Sequence, residues 1–104
     1  MPQQQPSVGR IVHYQLTEQD ATDINRRRKD FHESRGAEDR TGYIGHVGNR
    51  VAEGDQFPAI IVRVWDESTV TCNLQVLLDG NDTYWATSRA EGAEPGHWTW
   101  PPRH

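Results

Sequence analysis

The stretch that decides the fold is Asn73-Leu-Gln-Val-Leu-Leu-Asp-Gly-Asn-Asp-Thr-Tyr-Trp-Ala-Thr-Ser-Arg89. Apolar and polar residues alternate from Val70 to Leu78, which predicts a half-buried strand with Cys72 and Leu74 on its inner face. Asp79-Gly80-Asn81-Asp82 predicts a hairpin turn, because Asp-Gly and Gly-Asn tolerate positive φ. Thr83 to Ser88 is then the returning strand, and the pair favours an antiparallel sheet.

Further strands are predicted on both sides of this hairpin. Pro58 to Trp65 is apolar on both faces, so we expect it to be central in the sheet. Gly9 to Leu16 alternates as a first strand, and His97 to Trp100 is a short last strand ended by two prolines. A weaker, glycine-broken strand is predicted over Tyr43 to Val51. The expected fold is mainly β, a small five-stranded antiparallel barrel of SH3-like or OB-like kind.

One short helix, about residues 17–29, is expected after the first strand. Thr17 is a suitable N-cap, and Leu16 and Ala21 have the spacing of a hydrophobic staple. Early acids and late arginines complement the helix dipole. Residues 1–7 form a polar arm with nothing to bury, and residues 30–42 form a polar loop. The expected organisation is therefore the arm and a single β-barrel domain, 8–104.

Composition limits both the core and the function. The chain has 104 residues, of which 34% are hydrophobic, and its mean hydropathy is −0.88. A net charge of −4 makes a nucleic-acid partner unexpected, since such proteins show a basic face. The single cysteine excludes an internal disulfide. No apolar stretch is long enough for a membrane span and no signal peptide is visible, so we expect a soluble intracellular protein.

Several stretches together resemble a known group of proteins. They are Val8-Gly-Arg-Ile-Val-His-Tyr14, Pro58-Ala-Ile-Ile-Val-Arg-Val-Trp65, Asn73-Leu-Gln-Val-Leu-Leu-Asp-Gly-Asn-Asp82 and His97-Trp-Thr-Trp-Pro-Pro102. The pattern covers most of residues 8–102 and is similar to small proteins of unknown function from phages and prophages of actinobacteria. The resemblance implies a viral or prophage origin. It carries no activity or catalytic residue, and the loop at 30–42 has no counterpart in it.

The aromatic residues near the chain's end are the candidates for ligand binding. Tryptophans suit flat ligands through stacking, and one or two arginines suffice for the phosphates of a nucleotide. The alternative is that these rings plug the two ends of a barrel that is poor in aliphatic residues. The candidate ligand-binding residues are Arg63, Trp65, Tyr84, Trp85, Arg89, Trp98 and Trp100.

Other residues that can carry chemistry have simpler explanations. The run Arg26 to Lys29 points around a helix, so we interpret it as a solvated helix end that complements the dipole. The five histidines lack the spacing of a zinc pair, and Cys72 is expected to be buried and inert. Asp79 and Asp82 belong to turns, where such residues bond the backbone. We expect no catalytic residue, no metal and no cofactor.

The function predicted from these features is non-enzymatic binding. The chain is expected to be a phage or prophage accessory protein in the cytoplasm of the infected host, capturing a host component such as a small nucleotide-like defence signal. Four tryptophans and a thin aliphatic core favour a homo-oligomer. The alternative is a structural protein of the virion, either a decoration or a tail-associated component. A small anionic ligand or a host or viral protein is the expected partner.

Overall fold

A computed structural model describes residues 4–36, 48–65 and 70–102. Within these residues the chain forms five strands and one helix. They are β1 (Ile11–Gln15), α1 (Glu18–Gly36), β2 (Gln56–Val64), β3 (Cys72–Leu77), β4 (Thr83–Arg89) and β5 (Trp98–Thr99). The expected fold class is confirmed as mainly β, with an antiparallel five-stranded sheet and one helix after the first strand.

The sheet has the strand order β4-β3-β2-β1-β5. Four sequential strands form a meander, and β5 returns to pair with β1 through His13–Thr99 and Tyr14–Trp98. The segment after β4 then approaches β5, where Glu91 forms an isolated parallel bridge with Trp98 and the N–H of Trp98 donates to the Ala90 carbonyl at 3.1 Å. The sheet is therefore barrel-like and curled, yet not closed.

The core lies on the inner face of this curled sheet. β1 contributes Val12 and Tyr14, and β3 contributes Cys72, Leu74 and Val76, all with no exposed surface. This confirms the predicted inner face of both strands, although Asn73 on β3 is buried as well. β2 is central, as expected, although one of its faces is outward. The cluster also contains Ile24 of α1 and Trp98 of β5, so the helix covers the inner side of the sheet.

α1 begins as the sequence predicts but ends later. The backbone N–H of Asp20 donates to Thr17 Oγ1 at 2.9 Å, and the N–H of Thr17 donates to Asp20 Oδ2 at 3.0 Å, which is a reciprocal capping box. Leu16 and Ala21 are both buried beside it. The helix continues to Gly36, so residues 30–36 are helical where a loop was predicted. The remainder of that loop lies outside the described residues.

Two further expectations need correction. Pro6 is buried, so the arm 1–7 does pack against the domain at that residue. The expected strand over Tyr43 to Val51 is absent from residues 48–51, where Gly48 makes only an isolated bridge to Gly80. Residues 43–47 lie outside the described part of the chain. No helix in the described ranges is both long and apolar enough to cross a membrane.

Candidate ligand-binding face

The outer face of the sheet carries three of the predicted site residues. Arg63 and Trp65 are two positions apart at the end of β2, and Arg63 is paired with Asn73 of β3. Trp85 of β4 is paired with Gln75, two positions further along β3. Residues two apart on a strand share a face, so all three lie on the side of the sheet away from the core.

Arg63 and Trp65 form a cation–π pair. The guanidinium carbon of Arg63 lies 5.0 Å from the centroid of the Trp65 ring, within the range of an energetically useful contact. Trp65 is 52% exposed, so one side of the pair remains open. A planar cation stacked on an aromatic ring presents both charge and a flat surface to solvent.

Asn73 fixes the orientation of this pair. The indole Nε1 of Trp65 donates to Asn73 Oδ1 at 3.1 Å, and the backbone N–H of Ser88 donates to the same oxygen at 2.8 Å. The β3–β4 register shifts between Cys72 and Leu74, and Ser88 has a positive φ of 54°. A β-bulge thus places the Ser88 amide where only a side-chain acceptor satisfies it. Asn73 is buried, which sequence alternation alone did not predict.

Two other predicted site residues belong to a buried polar network centred on Asp20. Asp20 Oδ1 accepts hydrogen bonds from the Tyr84 hydroxyl at 3.0 Å and from Arg89 Nη2 at 3.1 Å. Oδ2 accepts from the Tyr14 hydroxyl at 2.5 Å. With the Thr17 amide, this carboxylate has four donors and only 1% exposure. Tyr84 and Arg89 are therefore engaged in joining β4 to α1.

The same network shifts the acidity of its tyrosines. Burial, the negative charge of Asp20 and its hydrogen bond raise the pKa of Tyr84 to about 12. Burial and the hydrogen bond to Asp20 also raise the pKa of Tyr14 above its ordinary value. Both phenols therefore stay protonated as donors, and Arg89 supplies the positive charge that balances Asp20.

The last two predicted site residues are in the core and at its margin. Trp98 is fully buried, and its indole N–H lies within hydrogen-bonding distance of the carbonyls of Val70 and Arg89, at 3.0 and 3.1 Å. Trp100 is half-buried and packs edge-on against Trp98 with ring centroids 5.2 Å apart. Arg10 lies 5.0 Å from the Trp100 centroid. Trp98 therefore fills the core, and Trp100 does so in part. Trp65 and Trp85 are exposed and do not fill it.

The arginines of α1 form a separate clamp with the β3–β4 hairpin. Arg28 Nε and Nη2 donate to the two carboxylate oxygens of Asp82 at 3.1 and 2.8 Å, and Arg27 adds a bond of 2.7 Å. Arg28 Nη1 also donates to the carbonyl of Asn49. Because Arg28 is buried, the expectation of a wholly solvated helix end is wrong. No pattern in the sequence indicated that Asp82, far along the chain, is the partner of Arg28.

The clamp has consequences for both its charge and its backbone. Burial acts to raise the pKa of Asp82, but hydrogen bonds and charge from Arg28 and Arg27 outweigh it and leave that pKa below its ordinary value. Gly48 lies against the guanidinium of Arg28: a Cβ there would stand 2.7 Å from both its Cζ and the Asp79 carbonyl oxygen. The clamp therefore requires glycine at this position.

The described cysteine and histidine side chains are either buried or hydrogen-bonded. No three metal-ligating side chains in the ranges 4–36, 48–65 and 70–102 are grouped to hold an ion. Cys72 is buried, as expected, and burial raises the pKa of its thiol. His97 and His13 are hydrogen-bonded to the Ala90 carbonyl and to Gln56. His46 lies outside the described residues.

Comparisons with protein-family models, with curated proteins and with solved structures found no match to this chain. The candidate face therefore rests on its own geometry.

Proposed function

We propose that this chain is a non-catalytic accessory binding protein of phage or prophage origin that captures a host component. The component that best fits the outer face is a small nucleotide-like signal of host defence. The observation that supports this is the exposed Arg63–Trp65 pair, held in place by Asn73. The phage origin comes from the resemblance of the sequence.

The chemistry of the pair matches the two parts of a nucleotide. A base stacked on an exposed tryptophan is worth about 1–3 kcal/mol, and a guanidinium binds phosphate oxygens through a fixed fork of donors. The pair needs little reorganisation, because Trp65 is already oriented by its hydrogen bond. A single pair supports modest affinity for a small ligand and offers no continuous basic track for DNA or RNA.

Titration with a panel of cyclic dinucleotides and mononucleotides tests the proposal. We expect at least one of them to raise the melting temperature, and calorimetry on Arg63→Ala to show about tenfold weaker binding. Arg10→Ala is the matched control, because Arg10 lies over Trp100 at the same 5.0 Å distance in a half-buried setting. The proposal is contradicted if no nucleotide raises the melting temperature. It is also contradicted if Arg63→Ala and Arg10→Ala weaken nucleotide binding equally.

A virion component is the second candidate. Its support is the apolar, exposed character of the sheet's outer face, which includes Ile11, Val62 and Trp85 and which a permanent assembly would cover. Mass spectrometry of purified particles of the encoding phage separates the two candidates. Stoichiometric presence in the particle favours the structural role, and absence from it removes that role.

A further inference from the structure

Two neighbouring rows of side chains cross the outer face of the sheet. Strand pairing aligns Ile11 with Ile60, Ile60 with Gln75, and Gln75 with Trp85. We call this line the Ile11–Trp85 row. The adjacent row follows from the same register, which pairs His13 with Pro58 and Leu77 with Thr83. Val62 lies at the bulge beside the first row.

The face is largely apolar and uncovered. Trp85 is 59% exposed, Ile11 54%, Val62 40% and Leu77 38%. At ordinary side-chain areas these four residues present roughly 400 Å² of apolar surface, the size of the largest apolar patch on a small protein, which is often functional. The helix packs on the opposite, inner side, so nothing in the described chain covers this face.

The distribution of charge favours a second copy of this chain as the partner of the outer face. The two rows contain no Asp, Glu, Lys or Arg, while the whole chain carries a net charge of −4. An acidic or basic partner finds no opposite charge here. Two copies of this chain repel each other through most of their surface, and this uncharged face is where they can meet without that repulsion.

The shape of the row is suited to a two-fold axis. The large ring of Trp85 stands at one end and the smaller Ile11 at the other, with Ile60 and Gln75 between them. A two-fold axis that runs parallel to the strands through the middle of the row places each Trp85 over the partner's Ile11, so the same patch serves both copies. With the neighbouring polar side chains, the two faces bury on the order of 1,000–1,200 Å² in total, at the lower end of a specific interface.

We propose that this face is the interface of a homodimer in which two sheets pack face to face along the Ile11–Trp85 row. The dimer does not require the ligand proposed above, because neither row includes Arg63 or Trp65. Its central contact is Trp85 against the partner's Ile11. Trp85 then acts as an aromatic anchor of the kind that dominates interface energetics.

Sedimentation or light scattering on the full chain tests the dimer without any ligand. We expect wild-type protein to change from a mass of 11.9 kDa at high dilution to twice that mass at micromolar concentration. Trp85→Lys places two cations in the interface and is expected to raise the dissociation constant at least about 30-fold. Phe31→Lys is the matched control, since Phe31 is an exposed ring on α1, and it should dimerise as wild type does.

A charge-reversal pair tests the two-fold geometry itself. In the double variant Ile11→Glu/Trp85→Lys, each new cation meets a new anion of the partner subunit, so dimerisation should recover relative to Trp85→Lys. Within one chain these positions are three strands, or about 14 Å, apart, too far for a direct ion pair. Any of three results overturns the proposal. Wild-type protein stays monomeric, Phe31→Lys weakens dimerisation as much as Trp85→Lys does, or the double variant fails to recover dimerisation. Circular dichroism confirms that each variant is folded, and nucleotide titration of the monomeric variant reports separately on the ligand.

Discussion

Some single residues of this chain make long-range contacts that their sequence neighbours do not indicate. Asp20 is one residue of a helix N-terminus, yet its carboxylate joins β1, α1 and β4 through Tyr14, Tyr84 and Arg89. A buried carboxylate is tolerated when every lone pair is satisfied and a cation is adjacent. This residue therefore orients three elements at once.

Asp20→Ala should destabilise the fold strongly. The substitution leaves two phenols and one guanidinium without their acceptor and removes half of the capping box, which together cost about 3–4 kcal/mol. Denaturant unfolding measures the loss as a lower midpoint at unchanged slope. Asp23→Ala, one turn along the same helix and bonded only to Gln19 at 2.8 Å, is the control and should cost under about 1 kcal/mol. Similar losses in both variants would contradict a special role for Asp20.

The sequence predicted some residue-level features and missed others for a physical reason. The alternation that buries Cys72, Leu74 and Val76 is local, so period-two patterning found it. The partners of Asp20 are separated from it by up to 69 positions, and no local rule indicates which hydroxyl reaches a given carboxylate. The Thr-x-x-Asp spacing of a capping box was the available signal at this site.

At the level of elements, the helix and the hairpin are joined by charge as well as by packing. Arg28 makes a two-pronged contact with Asp82, and Asn49 continues the contact through its side-chain amide to Asp79 at 2.7 Å. The guanidinium is buried while the carboxylate stays partly accessible. Removing one partner of such a pair is strongly destabilising, because the other charge is left without compensation.

Acid should weaken this clamp, with a sign set by the lowered pKa of Asp82. A carboxyl whose folded pKa lies below its unfolded value of 3.8 stabilises the fold above that pH, and the contribution is lost as the pH falls below it. Asp82→Asn should lower the free energy of unfolding by about 3 kcal/mol at neutral pH. Its unfolding curve should also lose part of the wild-type dependence on pH below 3.8.

The measurement is denaturant unfolding of both proteins across that pH range. Asp55→Asn provides a comparison, because the Asp55 carboxylate accepts the Ala52 amide at a turn and is paired with no arginine in the described residues. If the free energy of unfolding depends on pH in the same way in wild type and Asp82→Asn, the clamp is not an acid-sensitive contact.

Element boundaries show where prediction from sequence fails. The hairpin at 79–82 and the strands around it follow from turn chemistry and alternation, and they are present in the structure. The end of α1 was placed at the arginine run, because late cations are typical of helix C-termini. Those cations instead bind the hairpin, and the helix continues for two more turns to Gly36.

At the scale of the whole molecule, one indole ring completes the core. The curled sheet brings β5 beside β1, and Trp98 is inserted between the ends of β3 and β4 through its two carbonyl contacts. Composition predicted that the aromatic rings compensate for few aliphatic residues, and Trp98 does so. Which of Trp98 and Trp100 is inside was not predictable from alternation, because the two are two positions apart and share a face of the predicted last strand.

Trp98→Phe should therefore destabilise the protein much more than Trp85→Phe. Trp98→Phe leaves a void and two unsatisfied carbonyls and should cost about 3 kcal/mol. Because Trp85 lies on the outer face, Trp85→Phe should lower the free energy of unfolding by under about 0.5 kcal/mol when measured at a concentration where the protein is monomeric. Thermal or denaturant unfolding compares the two, and equal losses would place both rings in similar surroundings and contradict the fold described above.

The pairing of β5 with β1 affects the order in which the protein folds. These two strands come from opposite ends of the described chain, so joining them costs far more loop-closure entropy than forming the β3–β4 hairpin. We therefore expect the meander of β2, β3 and β4 to form first and Trp98 to be inserted late in folding. A nascent chain that has not yet supplied residues 97–100 still has a three-stranded sheet on which the remainder condenses.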